Sequence, residues 1–115
     1  IFARCVRQSE LINQRHKGLV QVAGLVSSRQ KPGTAAGVMF MTLEDETGNI
    51  NVIIWKRTQE YFRNTILTAQ LVLIKGTVEI LRNQVAEPVI HVIAGSIENH
   101  SPLLGGLATK SRDFR

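Results

Sequence analysis

Two apolar stretches, each interrupted once by glycine, restrict the folds open to this chain more than any other feature. The first is Leu19-Val20-Gln21-Val22-Ala23-Gly24-Leu25-Val26, rich in β-branched residues, with Gly24 where a strongly coiled strand needs room to bend. The second runs from Gln70 to Leu81 and carries Gly76 in the same role. Between them, Val38 to Leu43 and Ile50 to Trp55 alternate as strands around a turn at Asp45-Glu46-Thr47-Gly48-Asn49, where Gly48 or Asn49 can supply a positive φ. Lys56 to Leu67 loses the two-residue period and sets Tyr61, Phe62, Ile66 and Leu67 on a polar background, the pattern of a short helix. Arg82-Asn83-Gln84 turns the chain, and Pro88 to Ala94 forms a last strand whose first residue tolerates the missing N–H.

Three strands, a helix and two strands, with the first and fourth strands long and kinked at glycine, predict an all-β OB-fold. This is a five-stranded Greek-key barrel with a helix between strands 3 and 4. Val, Ile, Leu and Met from every strand then converge on one interior, so an aromatic content of only 5% suffices. The barrel is expected over residues 18–100, after a polar, basic lead-in over 1–17 that is helical or frayed and before a tail over 101–115 without strand character. Ser27 to Gly37 reads as a loop, being rich in small, charged, Pro and Gly residues. With 115 residues there is material for one domain, and the start at Ile1 rather than Met points to a piece of a longer protein. No apolar run approaches the roughly 20 residues that cross a bilayer, so no membrane contact is expected and the cytoplasm is the expected compartment. The lone Cys5 cannot form an internal disulfide, which fits a reducing environment.

The net charge of +5 puts nucleic acid first among partners. It is unevenly spread: residues 1–37 hold six basic side chains against Glu10, residues 38–55 hold only Glu44, Asp45 and Glu46, and residues 56–82 hold five basic side chains against Glu60 and Glu79. No catalytic constellation accompanies it. Glu44, Asp45 and Glu46 alternate across a strand end with no His to complete a metal site, and Asp45 is better read as a turn residue bonding its own downstream backbone. His16, His91 and His100 lie far apart without matching Cys or Asp spacing, and no glycine-rich phosphate cradle appears. Arg4 and Arg7 flank Cys5 and could lower its pKa, but no protease-like partner is present. No catalytic residue, metal or cofactor is therefore expected of this domain.

A binding surface needs cations for phosphates and planar side chains for bases. OB-folds use the face of strands 2 and 3, flanked by the loops joining strands 1 to 2 and 4 to 5. Here the first loop offers Arg29 and Lys31 and the second Arg82 and Asn83. Alternation along strand 2 puts Met39, Met41 and Leu43 inside and Phe40 and Thr42 outside; along strand 3 it puts Ile50, Val52 and Ile54 inside and Asn51, Ile53 and Trp55 outside. Phe40 and Trp55 are then stacking candidates and Asn51 a polar contact to a base edge. Inverted parity would instead return Phe40 to the core, Trp55 fits equally beneath the following helix, and Arg29 and Lys31 also suit plain solvated charge.

Val22-Ala23-Gly24-Leu25-Val26, Arg29-Gln30-Lys31-Pro32-Gly33-Thr34-Ala35, Gly37-Val38-Met39-Phe40, Thr42-Leu43-Glu44-Asp45-Glu46-Thr47-Gly48 and Asn51-Val52-Ile53-Ile54-Trp55 together resemble the C-terminal OB domain of bacterial error-prone, DnaE-like C-family DNA polymerases. The tail Ser111-Arg112-Asp113-Phe114 resembles the end of those polymerases, except that the family usually closes on His and this chain on Arg115. Phe40 to Gly48 also resembles the anticodon-binding OB domains of class II aminoacyl-tRNA synthetases and the equivalent domain of the replicative polymerase alpha subunit. The polymerase resemblance implies a parent DNA-directed DNA polymerase that copies damaged templates in the SOS response, working with accessory mutagenesis proteins and the sliding clamp. None of its catalytic carboxylates falls here, so this segment would grip single-stranded DNA template near the active site. In the synthetase relatives the aromatic matching Phe40 stacks on an anticodon base. A protein-interaction module docking accessory subunits, an alpha-subunit OB domain and a tRNA-binding arm are the alternatives.

Overall fold

The computed structural model describes residues 4–31, 37–83 and 85–103. A 3-10 helix, Gln8–Asn13, leads into five strands: β1 (Leu19–Gln30), β2 (Met39–Asp45), β3 (Gly48–Ile54), β4 (Leu71–Leu81) and β5 (Val89–Asn99). Two short helices, α1 (Lys56–Tyr61) and α2 (Arg63–Thr68), link β3 to β4. The strands close into a barrel in the order β1-β2-β3-β5-β4. All neighbours are antiparallel except β3 and β5, whose parallel pairing of Val52 with Val92 and Ile53 with Ile93 completes the closure. This is the expected OB layout.

Inward residues from every strand fill the interior: Val20 and Val22 of β1, Met41 and Leu43 of β2, Ile50, Val52 and Ile54 of β3, Val72, Ile74 and Val78 of β4, and Val92 and Ala94 of β5. Ile66 of α2 and Leu11 of the lead-in join the same core from outside the sheet. The lead-in is fastened to the β2–β3 turn, because the Gln8 N–H donates to Asp45 Oδ2 at 2.7 Å. The two glycines are required by close approach. A Cβ on Gly76 would lie 1.9 Å from the Ile93 carbonyl oxygen, and one on Gly24 would lie 2.7 Å from that of Glu44. The β4–β5 register shifts beside Gly76 and the β1–β2 register shifts between Val26 and Ser28, which lets both long strands bend around the barrel.

Several expected boundaries are corrected. β1 does not end at Val26 but runs to Gln30, so Ser27–Gln30 are strand rather than loop. Beyond Leu25 it pairs only with β2, and past Val26, which packs on the core, the ribbon carries no apolar residue. β5 likewise extends past Ala94 to Asn99 by pairing with β4. The single helix expected over 56–67 is two, meeting at Phe62, whose φ of −111° and ψ of 25° break the helical path while its side chain packs on the core. Ser101–Leu103 form a helical turn. The expected loop residues Pro32 to Ala36, Gln84 of the β4–β5 turn and the tail from Leu104 onward lie outside the described residues.

Candidate nucleic-acid interface

Alternation along β2 and β3, fixed by the buried Met41, Leu43, Ile50, Val52 and Ile54, places Phe40, Thr42, Asn51, Ile53 and Trp55 on the outer surface. The cross-strand register sets Phe40 opposite Ile53 and Thr42 opposite Asn51, and on the other side Gln30 opposite Phe40 and Ser28 opposite Thr42. Two rows therefore cross three strands: an apolar one of Phe40 and Ile53 bordered by Gln30, and a polar one of Ser28, Thr42 and Asn51. Ser28 Oγ donates to Thr42 Oγ1 at 3.2 Å, which orients the polar row. Phe40 is 41% exposed and Trp55 50% exposed, so Phe40 is not core and Trp55 is not sealed beneath the helix. Trp55 follows β3 and caps α1 through its backbone, its carbonyl accepting the Gln59 N–H at 2.9 Å.

The expected cations divide. Lys31 stands exposed where β1 ends, on the side of Met39 and the two helices. Arg29 pairs in register with Met41 rather than with an outward residue, and its guanidinium turns to α2: Nε donates to the Ile66 carbonyl at 2.6 Å and Nη2 to the Ala69 carbonyl at 2.5 Å. Those carbonyls close the end of α2, so Arg29 fastens the helix to the sheet. Arg82 and Asn83 follow β4 at the opposite end of the face from Phe40. Arg82 Nη2 reaches the Ile12 carbonyl at 3.3 Å, and Asn83 Oδ1 accepts the N–H groups of Val85 and Ala86, shaping the turn. The structure thus brings Phe40, Thr42, Asn51 and Trp55 to one surface, sets Lys31 beside the helices at its near end and Arg82 and Asn83 at its far end, and turns Arg29 away from it.

Asp45 and His16 serve the fold. Asp45 is the expected turn residue: Oδ1 accepts from the N–H groups of Thr47 at 2.7 Å and Gly48 at 3.0 Å. Partial burial would raise its carboxyl pKa, but the hydrogen bonds from Gln8, Thr47 and Gly48 outweigh that and hold it below the ordinary value. His16 Nδ1 accepts the Ile80 N–H at 3.0 Å. The expectation that Arg4 and Arg7 lower the Cys5 pKa is not met; burial pushes the thiol up, and the Glu98 carboxylate adds to the rise. Among the described residues no three His, Cys, Asp or Glu side chains gather into a metal site, and no helix is long and apolar enough to cross a membrane.

A family model described as an OB-fold nucleic acid binding domain matches residues 20–99, which contain the whole barrel except the first residue of β1. The chain belongs to this OB-fold family. The OB domain is also 52% identical to an error-prone DNA polymerase of Teredinibacter turnerae over 98% of this chain and 11% of the relative. It is 51% identical to one of Saccharophagus degradans over 98% of this chain and 10% of the relative. The kinship with error-prone DNA polymerases expected from the sequence holds over nearly all of it, and the chain spans about a tenth of the length of these relatives. Among solved structures, the OB domain resembles asparaginyl-tRNA synthetase from Pyrococcus horikoshii with a TM-score of 0.67 at 18% identity, over 85% of this chain and 22% of that one. It also resembles an OBody bound to hen egg-white lysozyme, with a TM-score of 0.57 at 20% identity, over 74% of this chain and 82% of that one. At these identities the likeness is one of fold.

Two features of the site escaped the sequence reading. Gln59 is buried, and its Nε2 donates to the Gly37 carbonyl at 2.6 Å and the Ile54 carbonyl at 2.9 Å, tying the end of the β1–β2 connection to α1 and β3. A glutamine in a polar helix carries no local sign of such a role. The second is the partly exposed Ile53, whose outward parity was legible but whose place opposite Phe40 needed the register.

Proposed function

We propose that this chain binds single-stranded DNA across the outer face of β2 and β3, as the template-gripping OB domain of an error-prone polymerase. One observation carries the reading: Phe40 holds a 41% exposed ring on the outer surface, opposite Ile53 and beside a polar row that can meet base edges. An aromatic ring left open to water gains little for folding and suits a base, since every base offers a π-face. In this reading Phe40 and Trp55 stack, Thr42 and Asn51 contact base edges, Lys31 and Arg82 neutralise phosphates at the two ends, and Asn83 shapes the far turn. The relatives' name, error-prone DNA polymerase, supports this reading, and we place the domain in translesion synthesis in the cytoplasm during damage-induced mutagenesis, with accessory mutagenesis proteins and the sliding clamp as partners of the larger enzyme. Stacking and ion pairing need no cofactor in this domain.

The decisive experiment compares single-stranded DNA with a tRNA anticodon stem-loop of matched length. DNA should bind at least as tightly, with log affinity falling against log salt by about 0.7 for each phosphate neutralised. Clearly tighter binding to the tRNA loop would transfer the domain to the synthetase type. A second reading, protein docking, draws on the OBody barrel bound to lysozyme and on the exposed Leu81, Val85 and Val89 of the β4–β5 hairpin. It predicts DNA binding too weak to compete with a protein partner.

A further inference from the structure

Where Trp55 leaves β3, a groove of about 360 Å³ opens between the end of β1 and the two helices. Lys31, Lys56 and Arg63 line it together with a single acidic residue, Glu60, and Met39 and Leu67 supply apolar surface. Among the described residues, none of the three cations lies within ion-pair distance of a carboxylate. The walls are pre-set: Gln59 ties Gly37 and Ile54 together, and the stem of Lys56 runs past Gly37, where a Cβ would be 3.5 Å from Lys56 Cδ. Because Trp55 and Lys56 are consecutive, the groove begins where the stacking surface ends.

We propose that this groove carries the backbone of the same DNA single strand beyond the sheet face, with Lys31, Lys56 and Arg63 neutralising its phosphates and Trp55 marking the corner. This rests on the single-strand reading above. Three unpaired cations against one carboxylate match a polyanion. Continuity with Trp55 and Phe40 favours nucleic acid over an acidic peptide, which has no use for the stacking surface. The groove lengthens the occluded site past what β2 and β3 alone can cover.

The test uses the 115-residue chain with fluorescent oligothymidylates of about 4 and about 12 nucleotides, within the range of OB-fold site sizes. The Lys56→Gln/Arg63→Gln double variant should bind the shorter oligomer like wild type. Its affinity for the longer one should drop roughly 25-fold at about 0.1 M salt, with the salt slope reduced by about 1.4, from two cations at 0.7 each. Lys56→Arg should retain the slope, Lys56→Glu should exceed the loss from Lys56→Gln, and all variants should melt near the wild-type midpoint because both side chains are exposed. Unchanged binding of the longer oligomer by the double variant, with Phe40→Ala weakening both oligomers, would overturn the groove and leave the sheet reading standing. Equal weakening of both oligomers, or displacement of the longer one by poly-glutamate at matched charge and salt, would also overturn it. If wild type binds neither oligomer, both readings fall.

Discussion

Phe40→Ala and Met41→Ala, neighbouring substitutions on β2, should fail in opposite ways. Met41 is 1% exposed and packed among the inward residues of the barrel, so truncation leaves a cavity that a closed sheet cannot collapse into, costing about 2–5 kcal/mol of stability. At roughly 4–8 °C per kcal/mol for a domain near this size, its melting midpoint should fall by about 10 °C or more. Phe40 points the other way and is 41% open, so water fills the space its ring leaves and the folding cost drops to about 2 kcal/mol or less. What Phe40→Ala should lose is binding: about 1–3 kcal/mol if the ring stacks on a base, a rise of roughly 5- to 150-fold in Kd. Anisotropy with a labelled oligothymidylate and thermal melting, run on the same samples, give both quantities. The expected pattern is a strongly destabilised Met41→Ala whose folded fraction binds normally and a mildly destabilised Phe40→Ala that binds poorly. A Phe40→Ala protein that melts as low as Met41→Ala yet binds DNA with wild-type affinity would refute the assignment of the ring to the interface.

Two further substitutions probe groups that the sequence alone placed differently or incompletely. Arg29→Ala removes the two hydrogen bonds to the end of α2 and should cost about 1–3 kcal/mol of stability while changing the salt slope of DNA binding less than Lys31→Ala does; Arg29→Lys should not restore the loss, because one ammonium does not reproduce the guanidinium fork. A slope change equal to that of Lys31→Ala would return Arg29 to the phosphate contacts. For Asp45 the folded pKa is depressed, so its contribution is present above the unfolded value near 3.9 and is lost as pH falls through the lower folded value. Asp45→Asn keeps an acceptor for the turn but faces the Gln8 N–H with a donor, and should destabilise the protein by roughly 1 kcal/mol at pH 7, a figure discounted for solvent exposure. The gap between variant and wild type should narrow below about pH 4; a gap that persists unchanged to pH 3 would show that the carboxylate charge is not what matters.

The barrel was legible wherever a strand has a core side and a solvent side. Met41, Leu43, Ile50, Val52 and Ile54 alternate with outward residues, and that parity located Phe40, Asn51 and Trp55 before any register was known. Legibility failed where a strand has no core to cover. Ser27-Ser28-Arg29-Gln30 extends β1 beside β2 alone, held by hydrogen bonding, and composition records burial rather than pairing; Gly95 to Asn99 extends β5 beside β4 with a single core residue, Ile97, too few to show an alternation. The same blindness misplaced Arg29: as a loop residue it was free to meet phosphate, whereas as a strand residue in register with Met41 it is aimed at the helix. Gln59 escaped notice for a related reason, since the carbonyls it joins belong to residues 22 and 5 positions away in sequence.

Net charge, too, changes meaning once partners are assigned. Of the basic groups behind the +5, Arg7 lies 3.5 Å from Glu46 and Lys75 lies 3.3 Å from Glu98, while Arg29 and Arg82 donate to backbone carbonyls. Among the described residues Lys31, Lys56, Arg57 and Arg63 have no such engagement and stand where β1 finishes and the helices begin, while Arg4, Arg15 and Lys17 of the lead-in have none either. At the other end, Arg82 already shares its guanidinium with the Ile12 carbonyl. Counterion release depends on cations free to replace condensed ions, so on the proposed reading Lys31, Lys56 and Arg63 hold a strand more firmly at the helix end than Arg82 does at the other. A strand held in this way is anchored by its phosphates at one end and read by Phe40 and the Thr42–Asn51 row further along, which gives the face a direction that the symmetric placement of the two flanking loops does not.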